Sequence, residues 1–452
     1  MRIVFFDIDC MRPDHLGCYG YKRPTSPTID SIASQGMRFD NYHCSSSPCL
    51  PSRTAWISGR YGMRNGVISN HGAGARFQLR TRSYVGPEPE NEILTRLLRS
   101  HGYYTAAFSN FADRHNATWF MYGWSEYHTP NLKGGDETAE EVNAALLPWL
   151  KHNASRENLF LYVNYWDPHR CYSMDSSWMD RFRDHPVTQP WPDGETIRKH
   201  QELSGPFTAG GQFENNKSPF PLMPSSVSSR RDFEHLITGY DSAIAYTDHQ
   251  ISRVLEELDR QGLLEETAVI VSGDHGDAFG EHGIYSDHVC ADECIHRISL
   301  IVKWPRLTPA GTSCDALLYN VDFAPTLCDI LGMDPPSDWD GISFASQLSG
   351  KGGGERTFLV WDHGLYTVQR AVRTKRHLMI RTYDPLVYSF EALELYDMKA
   401  DPFQTRNIRN EHPGIIRECS YLLEEWIQEQ MQKRPCNPDP LVEILRERGV
   451  RQ

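Results

Sequence analysis

A cysteine, a proline and an arginine stand in close register in the segment SSSPCLPSRTAWISGR, residues 45–60. Pro51 has a fixed φ that suits the first turn of a helix, so we expect a helix to begin at Pro51 or Ser52. Cys49 would then lie just before the helix N-terminus, where free amide groups and the helix dipole favour negative charge. Arg53 follows about one turn further on. The segment predicts an anion site centred on residue 49, and a low-pKa thiolate nucleophile is one interpretation of it.

Acidic and histidine residues follow three predicted strands that are far apart in the sequence. Asp9 ends the segment RIVFFDID, Asp167–His169 ends LFLYVNYWDPH, and Asp274–His275 follows TAVIVSG. The carboxyl ends of parallel strands form one edge of a sheet, where the ligand sites of α/β proteins collect. Each group taken alone is also typical of a cap or a strand-end turn. Their recurrence at three strand ends predicts one shared site.

Strands and helices alternate along most of the chain, which predicts an α/β fold with a large mixed, mostly parallel sheet sandwiched by helices. In TSPTIDSIASQG, Ser26 is the expected helix N-cap. The Gly-rich segment LSGKGGGERT predicts a boundary near Gly350. We therefore divide the chain into a larger domain, residues 1–350, and a smaller C-terminal α+β subdomain, residues 351–452. The subdomain is expected to carry an antiparallel sheet and a closing helix over Pro413–Gln432.

The segment from Cys171 to Ser229 is rich in proline, tryptophan and charged residues and shows weak periodicity. Long loops on a rigid scaffold often shape a binding site. We interpret this segment as an excursion over the surface that shapes the substrate site.

The composition excludes several classes of protein. The 452 residues are 39% hydrophobic and 23% charged, with a formal net charge of −13. An acidic chain is not expected to bind nucleic acid or an anionic membrane, although local cations can still bind a small anion. The 11 cysteines form no C-x-x-C pair and are expected to be reduced thiols. The sequence shows no leader pattern and no membrane-spanning run, so we expect a cytoplasmic enzyme.

Five motifs, in order along the chain, resemble those of the type I sulfatase family of the alkaline phosphatase superfamily. They are DCMRPDHLGCYGY from Asp9, CLPSRTAWISGRY from Cys49, NYWDPH from Asn164, SGDHGDAFGEHG from Ser272 and LELYDMKADPFQTRNI from Leu393. In that family the cysteine is oxidised to formylglycine by a maturation enzyme. The resemblance implies an alkaline-phosphatase-like fold, a sulfuric ester hydrolase, and a catalytic sulfatase domain over residues 1–350.

The resemblance also implies covalent catalysis by a hydrated aldehyde at residue 49. One hydroxyl of the diol attacks the sulfur of a sulfate monoester, and the second hydroxyl then expels sulfate and restores the aldehyde. Plain cysteine or serine offers no second hydroxyl for that step. By motif, one divalent metal is expected to be held by Asp9, Cys49, Asp274 and His275. Oxygen ligands favour Ca²⁺, and the imidazole leaves Mn²⁺ and Mg²⁺ open.

Four other residues receive expected roles. Arg53 is expected to bridge residue 49 and the metal-site carboxylates, and His169 to contact the sulfate. His288 is expected to be the acid that protonates the leaving group. His115, in the segment FSNFADRHNATWF, is expected to bind the anion. A surface ion pair is the alternative explanation for Arg53, and a strand-end hydrogen bond is the alternative for His169.

The sequence departs from the family pattern at three places. Cys10 stands where most members have a second acid directly after the first, and Asp7 lies on the same strand face two residues before Asp9. Asp287 stands where many relatives have lysine. The lysine of a segment that usually reads G-K-W-H is also absent, and Arg114 lies nearby.

These departures leave the substrate open. We expect a small anionic substrate, either a sulfated carbohydrate or an aryl sulfate. A lysine-poor site suits a singly charged centre, so the alternative is a phosphonate monoester or phosphodiester hydrolase of the same superfamily. A non-catalytic relative that binds sulfated glycans is the third interpretation.

Overall fold

The structure is a computed structural model that describes residues 1–78, 93–172, 174–209, 222–224, 226–353, 356–433 and 438–449. Its strands, in chain order, are β1 (Arg2–Ile8), β2 (Met37–Phe39), β3 (Tyr42–His43), β4 (Ser46–Ser47), β5 (Tyr104–Phe108), β6 (Glu126–His128), β7 (Leu159–Tyr165), β8 (Thr267–Gly273), β9 (Ala278–Phe279), β10 (Tyr285–Asp287), β11 (Arg297–Ile298), β12 (Leu300–Lys303), β13 (Thr312–Cys314), β14 (Leu318–Tyr319), β15 (Phe358–His363), β16 (Val368–Thr374), β17 (His377–Asp384) and β18 (Leu393–Asp397).

The α-helices lie between these strands. They are α1 (Pro27–Gln35), α2 (Cys49–Ser58), α3 (Gly62–Asn65), α4 (Leu94–Ser100), α5 (Phe111–His115), α6 (Ala139–Asn153), α7 (Gly194–His200), α8 (Arg230–Arg260), α9 (Glu293–His296), α10 (Phe323–Leu331), α11 (Ala345–Leu348), α12 (Pro413–Gln432) and α13 (Pro440–Glu447). Short 3-10 segments lie at Pro13–His15, Gly17–Tyr19, Gly72–Gly74, Thr118–Met121, Ser176–Phe182, Leu264–Glu266, Glu281–Gly283 and Asn320–Asp322. Among the described residues, no helix combines the length and the apolar character needed to cross a membrane.

The main sheet has the strand order β13-β2-β12-β8-β1-β7-β5-β6. The central strand β1 pairs in parallel with β7 on one side and with β8 on the other. Antiparallel pairing occurs where β12 meets β8 and β2. The predicted mixed, mostly parallel sheet is therefore confirmed. Since three parallel strands end side by side, the residues that follow them lie at one edge of the sheet.

Helices cover both faces of the main sheet because β1 is apolar on both sides. Val4, Phe6 and Ile8 pack in a core with residues of α1, α6 and α8. Ile3 and Phe5 pack in a second core with residues of α2, α4 and α10. Alternate side chains of a strand point to opposite faces, so a continuous apolar run is what a strand buried on both faces requires.

The second sheet has the order β18-β17-β16-β15-β4 and is antiparallel except at β4. Leu423 and Trp426 of α12 pack against it in a separate core. The predicted antiparallel sheet and the closing helix over Pro413–Gln432 are therefore confirmed. The edge strand β4 comes from the cysteine segment, and its Ser46 pairs with Asp362 of β15. This pairing fixes the approach of the chain to Cys49.

Several local predictions differ from the structure. The helix after the cysteine begins at Cys49 itself, because the backbone N–H of Ser52 already bonds to the carbonyl of Pro48 at 3.0 Å. Ser26 precedes α1, but its side chain makes no cap hydrogen bond to that helix. Its hydroxyl instead donates to the Asp30 carboxylate at 3.0 Å.

Two predictions reach residues that the structure leaves undescribed. The excursion 171–229 contains α7 and a 3-10 segment, and residues 173, 210–221 and 225 lie outside the description. The predicted boundary near Gly350 falls between α11 and β15, with residues 354 and 355 outside the description. The division into two domains stays a prediction.

Candidate active site and metal centre

The four predicted metal ligands converge at the carboxyl edge of the main sheet. Asp9 follows β1, Asp274 and His275 follow β8, and Cys49 opens α2. One ligand atom from each of these four buried residues lies within 4.8 Å of the others. Residues separated by more than 200 positions in the sequence thus form one compact cluster.

Cys49 is a buried thiol and lacks the features of a thiolate nucleophile. Its side chain is 1% exposed, and its Sγ lies 3.1 Å from Nε2 of His275 and 4.0 Å from Oδ1 of Asp9. Burial, together with the carboxylates of Asp9 and Asp274, raises the pKa of the Cys49 thiol well above its ordinary value. A catalytic thiolate requires the opposite shift. Burial and the two neighbouring carboxylates therefore disfavour the interpretation of residue 49 as an unmodified thiolate nucleophile.

Arg53 binds the carboxylates around the cluster. Its Nε and Nη2 donate to the two oxygens of Asp7 at 2.8 and 3.1 Å. Its Nη1 donates to Oδ2 of Asp9 at 2.8 Å and lies 2.6 Å from Oδ2 of Asp274. The described hydrogen bonds and ion pairs of Arg53 go to these carboxylates and none goes to Cys49. Tyr162 also donates to Asp7, so Asp7 is a buried acid that is hydrogen-bonded to the same arginine as Asp9.

The charges of the cluster fit a bound divalent cation. Three buried carboxylates, Asp7, Asp9 and Asp274, share the single guanidinium of Arg53. Burial and the neighbouring acids raise the pKa of Asp274, whereas at Asp9 burial is outweighed by Arg53 together with the nearby histidines, so the pKa of Asp9 is lowered. Oδ2 of Asp274 accepts no well-directed hydrogen bond from the described residues. An added divalent cation would balance the excess negative charge at that oxygen.

His275 is prepared as a neutral ligand. Its Nδ1 lies 2.9 Å from the carbonyl of Gly276, which can only accept, so the ring proton is on Nδ1. The lone pair of Nε2 therefore faces Cys49. Burial, joined by the nearby His288, lowers the pKa of His275 to about 3 and keeps the ring uncharged. Two carboxylates and one imidazole thus suit the metal that the motifs predict.

Arg114, with His169 beside it, forms the cationic side of the site, and burial lowers the pKa of His169 itself. A ligand atom of His169 lies within 4.8 Å of atoms of Asp9 and Cys10. Nη2 of Arg114 lies 3.5 Å from Nε2 of His169. The guanidinium carbon atoms of Arg53 and Arg114 each lie 5.1 Å from the ring centroid of Trp166. The Trp166 ring therefore contacts both guanidinium groups. The sequence alone did not predict this position for Trp166.

His115 belongs to none of the described metal-binding groups. Its ring centroid is 6.4 Å from that of Trp166, and its Nε2 is buried without a hydrogen-bond partner among the described residues. Burial, together with Arg114 and Arg53, lowers the pKa of His115 well below its ordinary value. The neutral ring keeps an unused polar atom near the cationic side of the site.

His288 is held by two acids. Its Nδ1 lies 2.9 Å from Oδ1 of Asp277, and its backbone N–H donates to Oδ1 of Asp287 at 2.8 Å. Its ring centroid lies 4.4 Å from that of His275. Burial opposes the charged ring, but Asp287 and Asp277 outweigh it and raise the pKa of His288. Sequence reasoning missed Asp277, although its place two residues after His275 was a usable signal.

An open cavity of about 510 Å³ adjoins this site. Arg114, Lys133, Asp167, His169 and Arg170 are among the residues that line it. Oδ1 of Asp167 has no hydrogen-bond partner among the described residues, and burial raises the pKa of Asp167 to about 7. The lining thus combines cations with a carboxyl group.

Two family models match this chain. The model described as Sulfatase matches residues 2–333, and the model described as N-sulphoglucosamine sulphohydrolase, C-terminal, matches residues 280–433. The first match covers more than half of the chain and includes all eight residues that are predicted to act in the site or to hold the metal.

Similar proteins extend over nearly the whole chain. The N-acetylglucosamine-6-O-sulfatase of Bacteroides thetaiotaomicron is 25% identical, with 98% of this chain and 88% of the relative covered. A solved structure of a protein with its substrate D-glucosamine-2-N,6-O-disulfate has a TM-score of 0.78 at 22% identity, covering 97% and 99% of the two chains. The phosphonate monoester hydrolase of Agrobacterium radiobacter has a TM-score of 0.70 at 18% identity, covering 95% and 96%. The two structural likenesses establish the fold.

Proposed function

The chain belongs to the sulfatase family and is a sulfuric ester hydrolase, and we propose that it removes sulfate from a sulfated carbohydrate. A relative of similar length is named as a sulfatase of an amino sugar. The adjoining cavity of about 510 Å³ has a mixed cationic and carboxyl lining. Sugar hydroxyl groups both donate and accept hydrogen bonds, so such a lining suits them.

The convergence of Asp9, residue 49, Asp274 and His275 beside Arg53 is the observation that carries this proposal. We assign the two carboxylates, the Nε2 atom of His275 and the modified residue 49 as ligands of one divalent metal. Ca²⁺ is favoured by the oxygens, with Mn²⁺ and Mg²⁺ as the alternatives. When bound, the metal supplies Lewis acidity that stabilises negative charge on residue 49 and on the sulfate oxygens.

Residue 49 is the nucleophile in this proposal, after a maturation enzyme has converted Cys49 to formylglycine. The side chain opens α2, and the N–H of Leu50 is already used by Oδ1 of Asn70 at 3.1 Å. Asn70 therefore fixes the first turn of the helix that presents residue 49. Arg53 holds Asp9 and Asp274 in place from the same helix, one turn further on.

The cationic side of the site would bind the sulfate group. Arg114 lies beside His169 and takes the place of the lysine that the sequence lacks in this segment. Its nearest carboxylate among the described residues is that of Asp136, 3.7 Å away and largely exposed. The guanidinium can therefore turn to a sulfate oxygen without breaking a buried ion pair. His115 would contribute a neutral ring nitrogen near Trp166, with 6.4 Å between the two ring centroids.

His288 would donate the proton that the leaving oxygen needs. Its Nδ1 is engaged by Asp277, which fixes the ring and favours its protonated form. A histidine held in this way is a suitable general acid near neutral pH. His169, with its ring centroid 6.2 Å from that of His288, would lie on the opposite side of the reacting group.

The first experiment is intact-protein mass spectrometry after co-expression with a formylglycine-generating enzyme. Conversion of the thiol to the aldehyde lowers the mass by about 18 daltons, as expected for oxidation of CH₂SH to CHO. Cys49→Ala must abolish this change, and Cys44→Ser, which removes another buried thiol, must keep it. Failure to convert under these conditions would favour the non-catalytic, glycan-binding interpretation.

The second experiment compares substrates with the converted protein. A panel of sulfated sugars, an aryl sulfate and an aryl phosphodiester separates the two hydrolytic interpretations. We expect the highest kcat/KM on a sulfated sugar. A higher kcat/KM on the phosphodiester would replace the proposal with the phosphorus-ester alternative.

A further inference from the structure

Cys10 is a buried thiol surrounded by metal-binding side chains. Its Sγ lies 3.1 Å from Oδ1 of Asp9 and 3.9 Å from Nδ1 of His275, and the residue is fully buried. It belongs to a group with His275, Asp277 and His288 in which the ligand atoms all lie within 4.8 Å of one another. A position that is usually acidic in this family is thus occupied by a thiol.

This group differs from the cluster at residue 49. The ligand set around residue 49 comprises Asp9, Cys49, Asp274 and His275, and Cys10 is not part of it. His275 belongs to both groups, but its Nε2 faces Cys49 and its Nδ1 bonds to the Gly276 carbonyl. Cys10, Asp277 and His288 therefore remain as ligands that the first centre does not use.

The chemistry of these three side chains selects a different cation. A thiolate, a carboxylate and an imidazole are ligands of Zn²⁺ and Co²⁺, whereas Ca²⁺ and Mg²⁺ take oxygen ligands and leave thiols unbound. All three side chains are more than nine-tenths buried, so the site is preformed by the fold. Nδ1 of His288 and Oδ1 of Asp277 are already 2.9 Å apart. Three protein ligands are the number found in zinc sites that keep one open position.

We propose that Cys10, Asp277 and His288 form a second metal site that binds Zn²⁺, and that its occupation inhibits the enzyme. On binding, the Cys10 thiol and the protonated His288 ring each lose one proton to solvent, the thiolate forms a sulfur–zinc bond, and the ring nitrogen that has lost its proton donates its lone pair to the metal. His288 then has no acid proton to give to the leaving oxygen. The inhibition rests on the proposed role of His288, whereas the binding does not.

Metal binding is tested on the full chain in a Cys49→Ala background, which removes the other thiol near the site. Excess Ca²⁺ is kept present to fill the oxygen-rich centre. Co²⁺ is the spectroscopic probe, because a cobalt–thiolate bond gives a charge-transfer absorption that oxygen and nitrogen ligands do not give. Zn²⁺ affinity is measured by competition with a chromophoric chelator. We expect one Co²⁺ per chain with a thiolate band.

Cys10→Ser is the decisive variant and Cys44→Ser is its control. Cys44 is likewise buried, and its Sγ lies 3.5 Å from a histidine nitrogen, that of His296, but it belongs to no described metal-binding group. Cys10→Ser should lose the thiolate band and weaken Zn²⁺ binding at least about tenfold, the loss typical of a perturbed metal site. Cys44→Ser should keep both. A Cys10→Ser protein that retains the band or the affinity overturns the site.

Asp277→Asn supplies a second test if Cys10→Ser does not fold, and it should weaken Zn²⁺ binding while keeping the thiolate band. Inhibition is tested on the converted enzyme by adding Zn²⁺ in excess Ca²⁺. We expect loss of turnover in the parent and recovery of turnover in Cys10→Ser at the same Zn²⁺ concentration. Binding without inhibition would overturn the inhibitory role. Lack of turnover without Zn²⁺ would refute the proposed function and leave the binding result standing.

Discussion

Oδ2 of Asp287 lies 3.1 Å from Nε of Arg170, so an acid holds a cation at the wall of the cavity beside the active site. Asp287 is buried, and the Arg170 side chain keeps about a quarter of its surface exposed. The guanidinium also lies over the ring of Phe207, with 4.1 Å between the guanidinium carbon and the ring centroid. The position that is usually lysine in this family is thus acidic here, and the positive charge comes from the segment after β7.

Arg170→Ala should raise KM for an anionic substrate about 10- to 100-fold with a smaller change in kcat. A hydrogen bond to a charged group contributes about 1.5–3 kcal/mol, which corresponds to that range. Steady-state kinetics on a sulfated sugar give the measurement. Arg183→Ala, which removes an exposed arginine paired with Asp180, is the matched control and should leave KM unchanged.

The double variant Arg170→Ala/Asp287→Asn separates recognition from folding. The single variant leaves the buried Asp287 without its ion pair, and the second change removes that uncompensated charge. Stability should recover while KM stays high. Recovery of KM together with stability would mean that Arg170 acts only on the fold.

Arg53→Ala should destabilise the protein by about 3–5 kcal/mol, the cost of removing one partner from a buried ion-pair network. Asp7, Asp9 and Asp274 would be left as buried carboxylates without their shared cation. Urea unfolding in the presence of a metal chelator measures the loss. Arg406→Ala, which breaks an exposed pair with Glu411, should unfold like the parent. An Arg53→Ala protein as stable as the parent would contradict this account of the network.

Metal addition should stabilise the protein and the effect should depend on Asp274. A ligand present at about 100 times its Kd adds about 2.7 kcal/mol to the free energy of unfolding. Thermal unfolding after chelator treatment should therefore shift upward on addition of Ca²⁺ or Mn²⁺. Asp274→Asn should be more stable than the metal-free parent, because it removes a buried excess charge, and it should not respond to the metal.

The control for this prediction is Asp329→Asn, which changes an exposed carboxylate far from the cluster in sequence. It should respond to the metal as the parent does. An equal response in Asp274→Asn would show that the cation binds elsewhere.

Asp248 should make stability fall as the pH rises. Its carboxylate accepts hydrogen bonds from the backbone N–H groups of Thr28 and Ile29 at 3.0 and 2.8 Å, yet burial raises its pKa from 3.8 to about 6. Between these two values the folded state binds more protons than the unfolded state, so the free energy of unfolding decreases with increasing pH. The decrease between pH of about 4 and about 7.5 is about 2–3 kcal/mol.

Asp248→Asn should remove that pH dependence. The difference in free energy of unfolding between variant and parent, measured with urea across this pH range, should move by about 2–3 kcal/mol in favour of the variant as the pH rises. Asp259→Asn, an exposed change on the same helix, should give a difference that does not vary with pH. A flat difference for Asp248→Asn would mean that the carboxyl titrates normally.

The sequence was sufficient to predict the main sheet and the convergence at its edge, because both depend on regular features. The apolar run before Asp9 and the one before Asp274 predict buried parallel strands, and parallel strands end on the same side. The bounds of the closing helix, Pro413–Gln432, also agreed with the structure. Pro413 at the start of that helix gave the sequence a clear signal.

Other features depend on side-chain contacts over long sequence separations. No local pattern indicates that the guanidinium of Arg170 meets Asp287. The place of Asp277 next to the His275 motif marks it as a site residue, but does not show that its partner is His288. The pairing of Ser46 with Asp362 joins segments more than 300 residues apart, and two residues are too few to show strand periodicity. The start of α2 at Cys49 was missed because the proline at 51 marks the first turn but does not fix its first residue.

The order of the ligands along the chain determines when each part of the site is synthesised. Cys49 leaves the ribosome early, whereas Asp274 and His275 follow more than 200 residues later and are needed to enclose it. Throughout that interval of synthesis the thiol has no completed pocket around it. A modifying enzyme would therefore reach the Cys49 thiol on the nascent chain, before β8, which is the last of the three central strands to be synthesised, encloses that thiol.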